Sequence, residues 1–319
     1  MQRGSPLFTP ALPFMNAPAA RERPALPPLA TVIGIPFDCG SHAFRIGARQ
    51  GPDAIREQAR LLRPYDVAPA GETDNAFDFL RLTDLGNVAC TPGDVEASFP
   101  RIEAAIEQVQ RTGAMTVTMG GDGAVSLPQM RAVARHHPDL VVLHFDSHTD
   151  TYDIGGYNTA TTFTRAAEEK LVDPANSFHV GTRGLTFMPG VIPFGRSVGY
   201  NVVPFGEFAP RQEEVLVRIR EQVGNRPVYL CFDMDLFDPS CAPGVCTPEW
   251  GGLTAREGLS LLRALRGLNF VAFDVNTVSP PHDVGGMTAF LAATVMQEFL
   301  CLAAETVRVF PQRFAHLMR

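Results

Sequence analysis

What most constrains the fold of this 319-residue chain is an alternation that begins at residue 31. Short apolar, β-rich runs at 31–36, 114–119, 140–145, 177–181, 227–233 and 269–275 are separated by helical periodicities near 53–63, 98–112, 127–137, 161–171, 212–223, 255–266 and 286–303. Strand, helix, strand in that order requires a parallel sheet, because parallel neighbours must be joined by a crossover and a helix is the usual one. Runs such as Val141-Val142-Leu143 and Val228-Tyr229-Leu230 carry no polar alternation, so their strands are covered on both faces. The expectation is an α/β fold, a three-layer α-β-α domain with a mainly parallel central sheet over residues 31–319, with no internal repeat or interdomain linker.

Residues 1–30 read differently. Pro6, Pro10, Pro13, Pro18, Pro24, Pro27 and Pro28 lock backbone angles and remove donors, which rules out a helix or a central strand. Leu7, Phe8, Leu12, Phe14 and Met15 sit among them, so this N-terminal arm is expected to lie on a surface, its own domain's or a neighbouring subunit's.

Charge narrows the partners. With 27 basic against 34 acidic residues and net charge −7, no stretch concentrates arginine or lysine as a nucleic-acid footprint would. The runs Leu140–Leu143 and Val228–Phe232 fall far short of the roughly 20 residues that span a bilayer, and no compact signal segment opens the chain, so a cytoplasmic protein is expected. Cys39, Cys90, Cys231, Cys241, Cys246 and Cys301 are dispersed, without the spacing of a zinc site or the density of a disulfide scaffold, and read as buried free thiols.

In open α/β sheets the ligand lies beyond the carboxyl ends of the strands. Two of those ends carry acids. After Leu140–Leu143 comes His144-Phe145-Asp146-Ser147-His148-Thr149-Asp150, in which Asp146, His148 and Asp150 recur every second residue and share one face while the backbone stays extended. After Val228–Leu230 comes Cys231-Phe232-Asp233-Met234-Asp235, again two carboxylates at spacing two. A lone acid at a strand end is usually a cap or a turn former. Two rows of ionised aspartates brought together are tolerated most simply around a divalent cation. Oxygen donors with one imidazole favour manganese, nickel or magnesium over a structural zinc.

These residues resemble the ureohydrolase family of arginases and agmatinases, and most closely its agmatinase branch. The resemblance runs through Val32–Asp38, Gly47-Ala48-Arg49, Gly51-Pro52 with Ala54-Ile55-Arg56, Gly120-Gly121-Asp122, the row His144–Tyr152, Asp233-Met234-Asp235 with Asp238-Pro239 and Ala242-Pro243-Gly244, Gly251–Thr254 and Phe273-Asp274-Val275. It implies an arginase-type domain, usually trimeric or hexameric, with two manganese or nickel ions bridged by a hydroxide that attacks a guanidinium carbon and releases urea. Carried over by position, Asp146 and Asp233 bridge the ions, His148 and Asp235 complete one site, and Asp150 belongs to the other.

Three departures interrupt that pattern. Gly123 stands where the resemblance implies a metal-ligating histidine, Thr159 where it implies a histidine for proton transfer, and Thr277 where it implies a glutamate that anchors the guanidinium. Smaller changes are Phe232, Cys246 and Ser147. His42 and His282 border the implied site and read as surface loop residues, while His136, His137, His179 and His316 read as helix ends, a strand and the C-terminal tail. With a ligand, a proton carrier and an anchor lost together, no catalytic residue is assigned, and at most one manganese or nickel ion per chain is expected, on Asp146, His148, Asp233 and Asp235.

Two-subunit members of the family that act on guanidine or biguanide compounds, metformin among them, are known. The resemblance therefore implies a supporting subunit that assembles with a second, complete ureohydrolase chain to cleave a guanidine-type small molecule to an amine and a urea-type product. The alternative is a stand-alone hydrolase with one metal or a repositioned ligand.

Overall fold

The two apolar runs free of polar alternation lie side by side at the centre of the molecule, in parallel register with Val141 opposite Val228. The computed structural model describes residues 6–17, 26–40, 44–64 and 75–318. Nine strands among them form one sheet: β1 Phe8–Thr9, β2 Ala30–Gly34, β3 Thr83–Val88, β4 Met115–Met119, β5 Val141–Phe145, β6 Phe178–Val180, β7 Asn201–Val203, β8 Val228–Asp233 and β9 Phe270–Asn276. The order is β1-β3-β2-β4-β9-β8-β5-β6-β7, and every neighbouring pair is parallel except β1 with β3.

Six of these strands occupy the six runs picked out by their apolar content. β1, β3 and β7 do not stand out in that way. β3 reads Thr83-Asp84-Leu85-Gly86-Asn87-Val88, and its polar residues are buried on partners that only the fold supplies. Asp84 takes the fully buried guanidinium of Arg56 at 2.9 Å, with a second bond from Arg56 Nε at 3.1 Å. Gly34 on β2 makes room for this group, because a Cβ there would collide with Asn87 and lie 2.5 Å from Arg56 Nη1.

The same hub holds the N-terminal arm. The Phe14 amide donates to Asp84 Oδ2 at 2.8 Å, the Phe14 ring is fully buried, and Phe8–Thr9 pairs antiparallel with β3. Residues 6–17 therefore pack on this chain's own core and sheet edge; Pro18 and Pro24 lie outside the described residues.

Helices at Gly51–Ala59, Val95–Gln110, Ser126–Ala134, Thr162–Glu168, Gln212–Val223, Ala255–Ala264 and Met287–Val309 fall on the seven helical periodicities. Local signals set their ends. Asp94 caps the second through the Ala97 amide, and Thr254 with Glu257 forms a capping box at the sixth. Helices 51–59, 255–264 and 287–309 pack on one another, as do 95–110, 126–134 and 162–168, and strands buried along their whole length lie between helical layers. Helix 287–309 is, by length and composition, long and apolar enough to cross a membrane, a property the short strand runs do not have; its most apolar window is 67% buried against the neighbouring helices and β9.

All six cysteines are free, but only Cys231 and Cys246 are buried, the other four being half-buried. The chain order of the strands locates the site. After β4 the chain skips two places to β5, and β8 and β9 later fill the gap. The carboxyl ends of β4, β9, β8 and β5 thus share one crevice at the point where the winding reverses.

Candidate metal centre

Each of those four strand ends delivers a polar residue. Asp122 follows β4 and caps the turn Gly123–Val125, Asp146 follows β5, Asp233 ends β8 and Thr277 follows β9. They open on a cavity of about 400 Å³ whose ionisable lining includes Asp122, Asp146, His148, Asp150, Asp233 and Asp235. The structure thus brings together all five ligands expected from the sequence. It adds Asp122, whose place in the glycine-rich turn marked it as a motif residue but not as part of the cavity wall.

The donor groups hold one another in place. His148 Nδ1 lies 3.2 Å from Asp235 Oδ2 and 3.3 Å from Asp146 Oδ1, while the His148 amide donates to Asp146 Oδ1 at 2.6 Å. Asp235 also accepts from the Ser147 hydroxyl at 2.7 Å and the Ser147 amide at 3.1 Å. Asp233 accepts from the Asp235 amide at 2.8 Å and from the Thr277 hydroxyl. Asp122 accepts from the Cys39 amide at 2.6 Å and the Ala124 amide at 3.2 Å.

So many buried acids leave a large electrostatic imbalance. Burial, reinforced by the neighbouring carboxylates, pushes Asp150 and Asp233 well above the usual carboxylate range and raises Asp235. Burial, with the charge of Asp38, pushes Asp122 up to about 6. Asp146 is the exception: burial opposes its ionisation, but the imidazoles of His144 and His148 outweigh it and hold the carboxyl well below its ordinary value. His148 is held well above its ordinary value, since Asp235 and Asp146 overcome its burial. Carboxylates that raise one another's pKa in a shared pocket have the electrostatics of a cation site.

The residues fit a divalent cation. Donor atoms of Asp146, His148 and Asp235 lie within 4.8 Å of one another, a hard oxygen set with one imidazole, and Asp233 borders the same cavity. Gly123, beside Asp150, offers no side-chain donor. A Cβ at Gly123 would lie 2.9 Å from Asp150 Oδ2 and 2.9 Å from Thr159 Cγ2, so those two side chains already crowd the place where a histidine would start. Donor atoms of His144, Asp146 and Asp150 also come within 4.8 Å, but His144 is engaged at both nitrogens, by Asp146 Oδ2 at 2.9 Å and by His179 Nδ1 at 2.8 Å.

Thr277 has a positive φ of 69°, uncommon for a β-branched residue. Its amide donates to the Gly121 carbonyl at 2.7 Å, and its hydroxyl is directed at Asp233. This side chain braces a carboxylate of the cavity floor.

Other expectations resolve individually. His144 was not among the expected site residues, although its even spacing to Asp146 and His148 was a usable signal. Ser147, recognised only as a departure, is a donor to Asp235. Tyr152 and Phe187 stack over the cavity with ring centroids 5.1 Å apart and 10° between planes, a pairing across 35 residues with no sequence signal. His282 is half-buried with an Nε2 that has no hydrogen-bond partner among the described residues, and it does not line the cavity; His42 lies outside the described residues. His136 and His137 contact Glu107 and Gln110, and His316 contacts the Thr112 carbonyl.

Comparison with known proteins settles the family. A family model described as the arginase family matches residues 29–302. The chain belongs to the arginase family. This arginase-family chain is 40% identical over 310 residues to the guanidinopropionase of Pseudomonas aeruginosa, covering 94% of each chain. It is similar to the solved proclavaminate amidinohydrolase of Streptomyces clavuligerus, with a TM-score of 0.85, 35% identity and coverage of 95% of this chain and 100% of that one. A hypothetical agmatinase from Burkholderia thailandensis gives a TM-score of 0.81 at 31% identity, covering 99% and 97%. The arginase fold, and membership among the ureohydrolases of agmatine and other guanidino compounds, follow from these matches.

Proposed function

We propose that this chain is a supporting subunit of a metal-dependent hydrolase that cleaves a guanidine or biguanide compound to an amine and a urea-type product. In this reading it assembles into a trimer or hexamer with a second, complete ureohydrolase chain, and that partner carries the catalytic site. One observation supports the proposal: Gly123 offers no side-chain donor, and a Cβ there would lie 2.9 Å from Asp150 Oδ2 and from Thr159 Cγ2.

One divalent ion, manganese or nickel, fits Asp146, His148, Asp233 and Asp235. Bound there it would supply Lewis acidity and a water of lowered pKa. This chain's own residues do less. Asp146 and Asp235 hold His148 in one orientation, Ser147 fixes Asp235, and Thr277 braces Asp233. No imidazole stands at position 159 to carry a proton, and no carboxylate stands at position 277 to anchor a guanidinium; a missing acid or base costs about 10²–10⁴ in rate.

The test is native mass analysis of the tagged chain from its own organism, with urea release assayed for this chain alone, its partner alone and the mixture. Copurification of a complete ureohydrolase chain in defined ratio, with activity needing that partner's site, is the expected result. A homo-oligomer that releases urea by itself would establish the stand-alone hydrolase instead.

A further inference from the structure

Two buried imidazoles lie behind the cavity wall, and only one of their nitrogens touches a candidate metal ligand. His144 on β5 and His179 on β6 stand opposite one another in the parallel register, 1% and 0% exposed, and neither lines the cavity. Their Nδ1 atoms are 2.8 Å apart, with the ring planes at 85°. Phe163 packs against both rings, its centroid 4.3 Å from that of His144 and 4.8 Å from that of His179, and Tyr200 lies 4.4 Å from His179. The Tyr200 hydroxyl donates to the Phe163 carbonyl, so its proton is committed elsewhere.

Chemistry restricts what the contact between the rings can be. Two imidazole nitrogens at 2.8 Å need one proton between them, because two lone pairs would repel and two N–H groups would collide. The outer end toward the site is fixed as well. His144 Nε2 lies 2.9 Å from Asp146 Oδ2, and an ionised carboxylate only accepts, so this nitrogen carries hydrogen. At the far end the Thr151 hydroxyl lies 3.5 Å from His179 Nε2 and gives its own proton to the Thr149 carbonyl at 2.8 Å. The hydrogen bonds thus run in one line from β6 through His144 to Asp146, whose other oxygen accepts from the His148 amide. Partners of this kind orient a carboxylate ligand, and their loss lowers metal affinity. Without His179, His144 would keep a buried, unmatched Nδ1 and lose the contact that sets its ring plane.

We infer that His179, through the proton it shares with His144, is a positioning residue that sets the Asp146 carboxylate for a divalent ion. It reaches neither the cavity nor Asp146 directly, and acts only through the His144 ring. The inference rests on Asp146 being a metal ligand and is independent of which chain carries out hydrolysis.

The experiment compares Mn²⁺ affinity, read from the EPR signal of the free ion, for the full-length parent, His179→Phe and His179→Asn. Solid-state ¹⁵N spectra of the metal-free parent, labelled at histidine, accompany it. Phenylalanine keeps the packing against Phe163 and Tyr200 but bonds nothing, whereas asparagine loses that packing and places an amide where Nδ1 was. The expected result is an affinity lowered about tenfold in His179→Phe and close to the parent's in His179→Asn, even though denaturant unfolding finds the asparagine variant no more stable than the other. A merely structural role predicts the opposite order. In the spectra, one Nδ1 of the pair is protonated and the other is not, and both signals change in His179→Asn. Parental affinity in His179→Phe, an affinity in His179→Asn as low as in His179→Phe, or a pair with both or neither Nδ1 protonated would overturn the inference. If His179→Phe does not fold, the asparagine variant and the parent spectrum decide by the same criteria. A parent that binds no Mn²⁺ would sink the metal reading of Asp146 and with it the role of His179, while the spectrum would still show whether the two rings share a proton.

Discussion

The carboxyl of Asp122 offers a quantitative test of how this cavity is held together. It rises from 3.8 to about 6 because burial and the charge of Asp38 outweigh the amides of Cys39 and Ala124. At about 1.4 kcal/mol per tenfold change, ionised Asp122 costs the metal-free folded state about 3 kcal/mol. The folded state binds this proton more tightly than the unfolded chain. The stabilisation is therefore complete below about pH 4, falls as pH rises through about 6, and is gone above it. Asp122→Asn removes the charge but keeps an acceptor for only one of the two amides, because Cys39 donates to Oδ2 and Ala124 to Oδ1, so a lost hydrogen bond of about 1 kcal/mol subtracts from the gain. In denaturant unfolding of the chelated protein the variant should exceed the parent by up to about 2 kcal/mol at pH 8, and the gap should close and reverse by about 1 kcal/mol toward pH 4. The difference between the two proteins isolates one group from the other titrating aspartates. A variant less stable at pH 8, by a margin independent of pH, would show that Asp122 is not an uncompensated charge in this fold.

Three further outcomes are expected. Metal analysis after desalting should find no more than one tightly held divalent ion per chain, lost in His148→Ala and Asp235→Asn, and two ions at full occupancy would overturn the one-ion proposal. Gly123→His alone should leave that count unchanged and lower stability by about 1–3 kcal/mol, because its Cβ meets Asp150 and Thr159 at 2.9 Å; a second ion retained on gel filtration would refute this. Phe14→Ala should destabilise the chain by about 3–5 kcal/mol in chemical denaturation, since that ring is fully buried in the chain's own core; a change under 1 kcal/mol would mean the arm is not part of the fold.

The central strands were legible because burial on both faces leaves a simple trace, an unbroken apolar run, as in Val141–Phe145 and Val228–Asp233. The helices were legible from their 3.6-residue periodicity, and the acidic rows from their two-residue spacing, although the backbone does not stay extended along them: β5 ends at Phe145, Asp150 has a φ of 44° and Met234–Leu236 is a 3-10 turn. β3 was not legible. Its Asp84 and Asn87 are core residues only because Arg56, 28 and 31 residues away, arrives to neutralise and bond them. The arm was half-legible: its prolines excluded a central strand, but the anchoring of Phe14 depends on Asp84, 70 residues on.

For the site, the residues themselves determined which donors exist, since a glycine cannot ligate and a threonine cannot act as an imidazole wherever they sit. Only the tertiary structure decided what surrounds them. Asp150 and Thr159 crowd Gly123, Thr159 Oγ1 is buried without a hydrogen-bond partner among the described residues, Thr277 turns its hydroxyl onto Asp233, and His144 is tied to Asp146 and His179. Those outcomes depend on strand ends separated by up to 157 residues, from Met119 to Asn276, meeting at one crevice, and distance through space, unlike residue type and spacing, is a property of the folded chain alone.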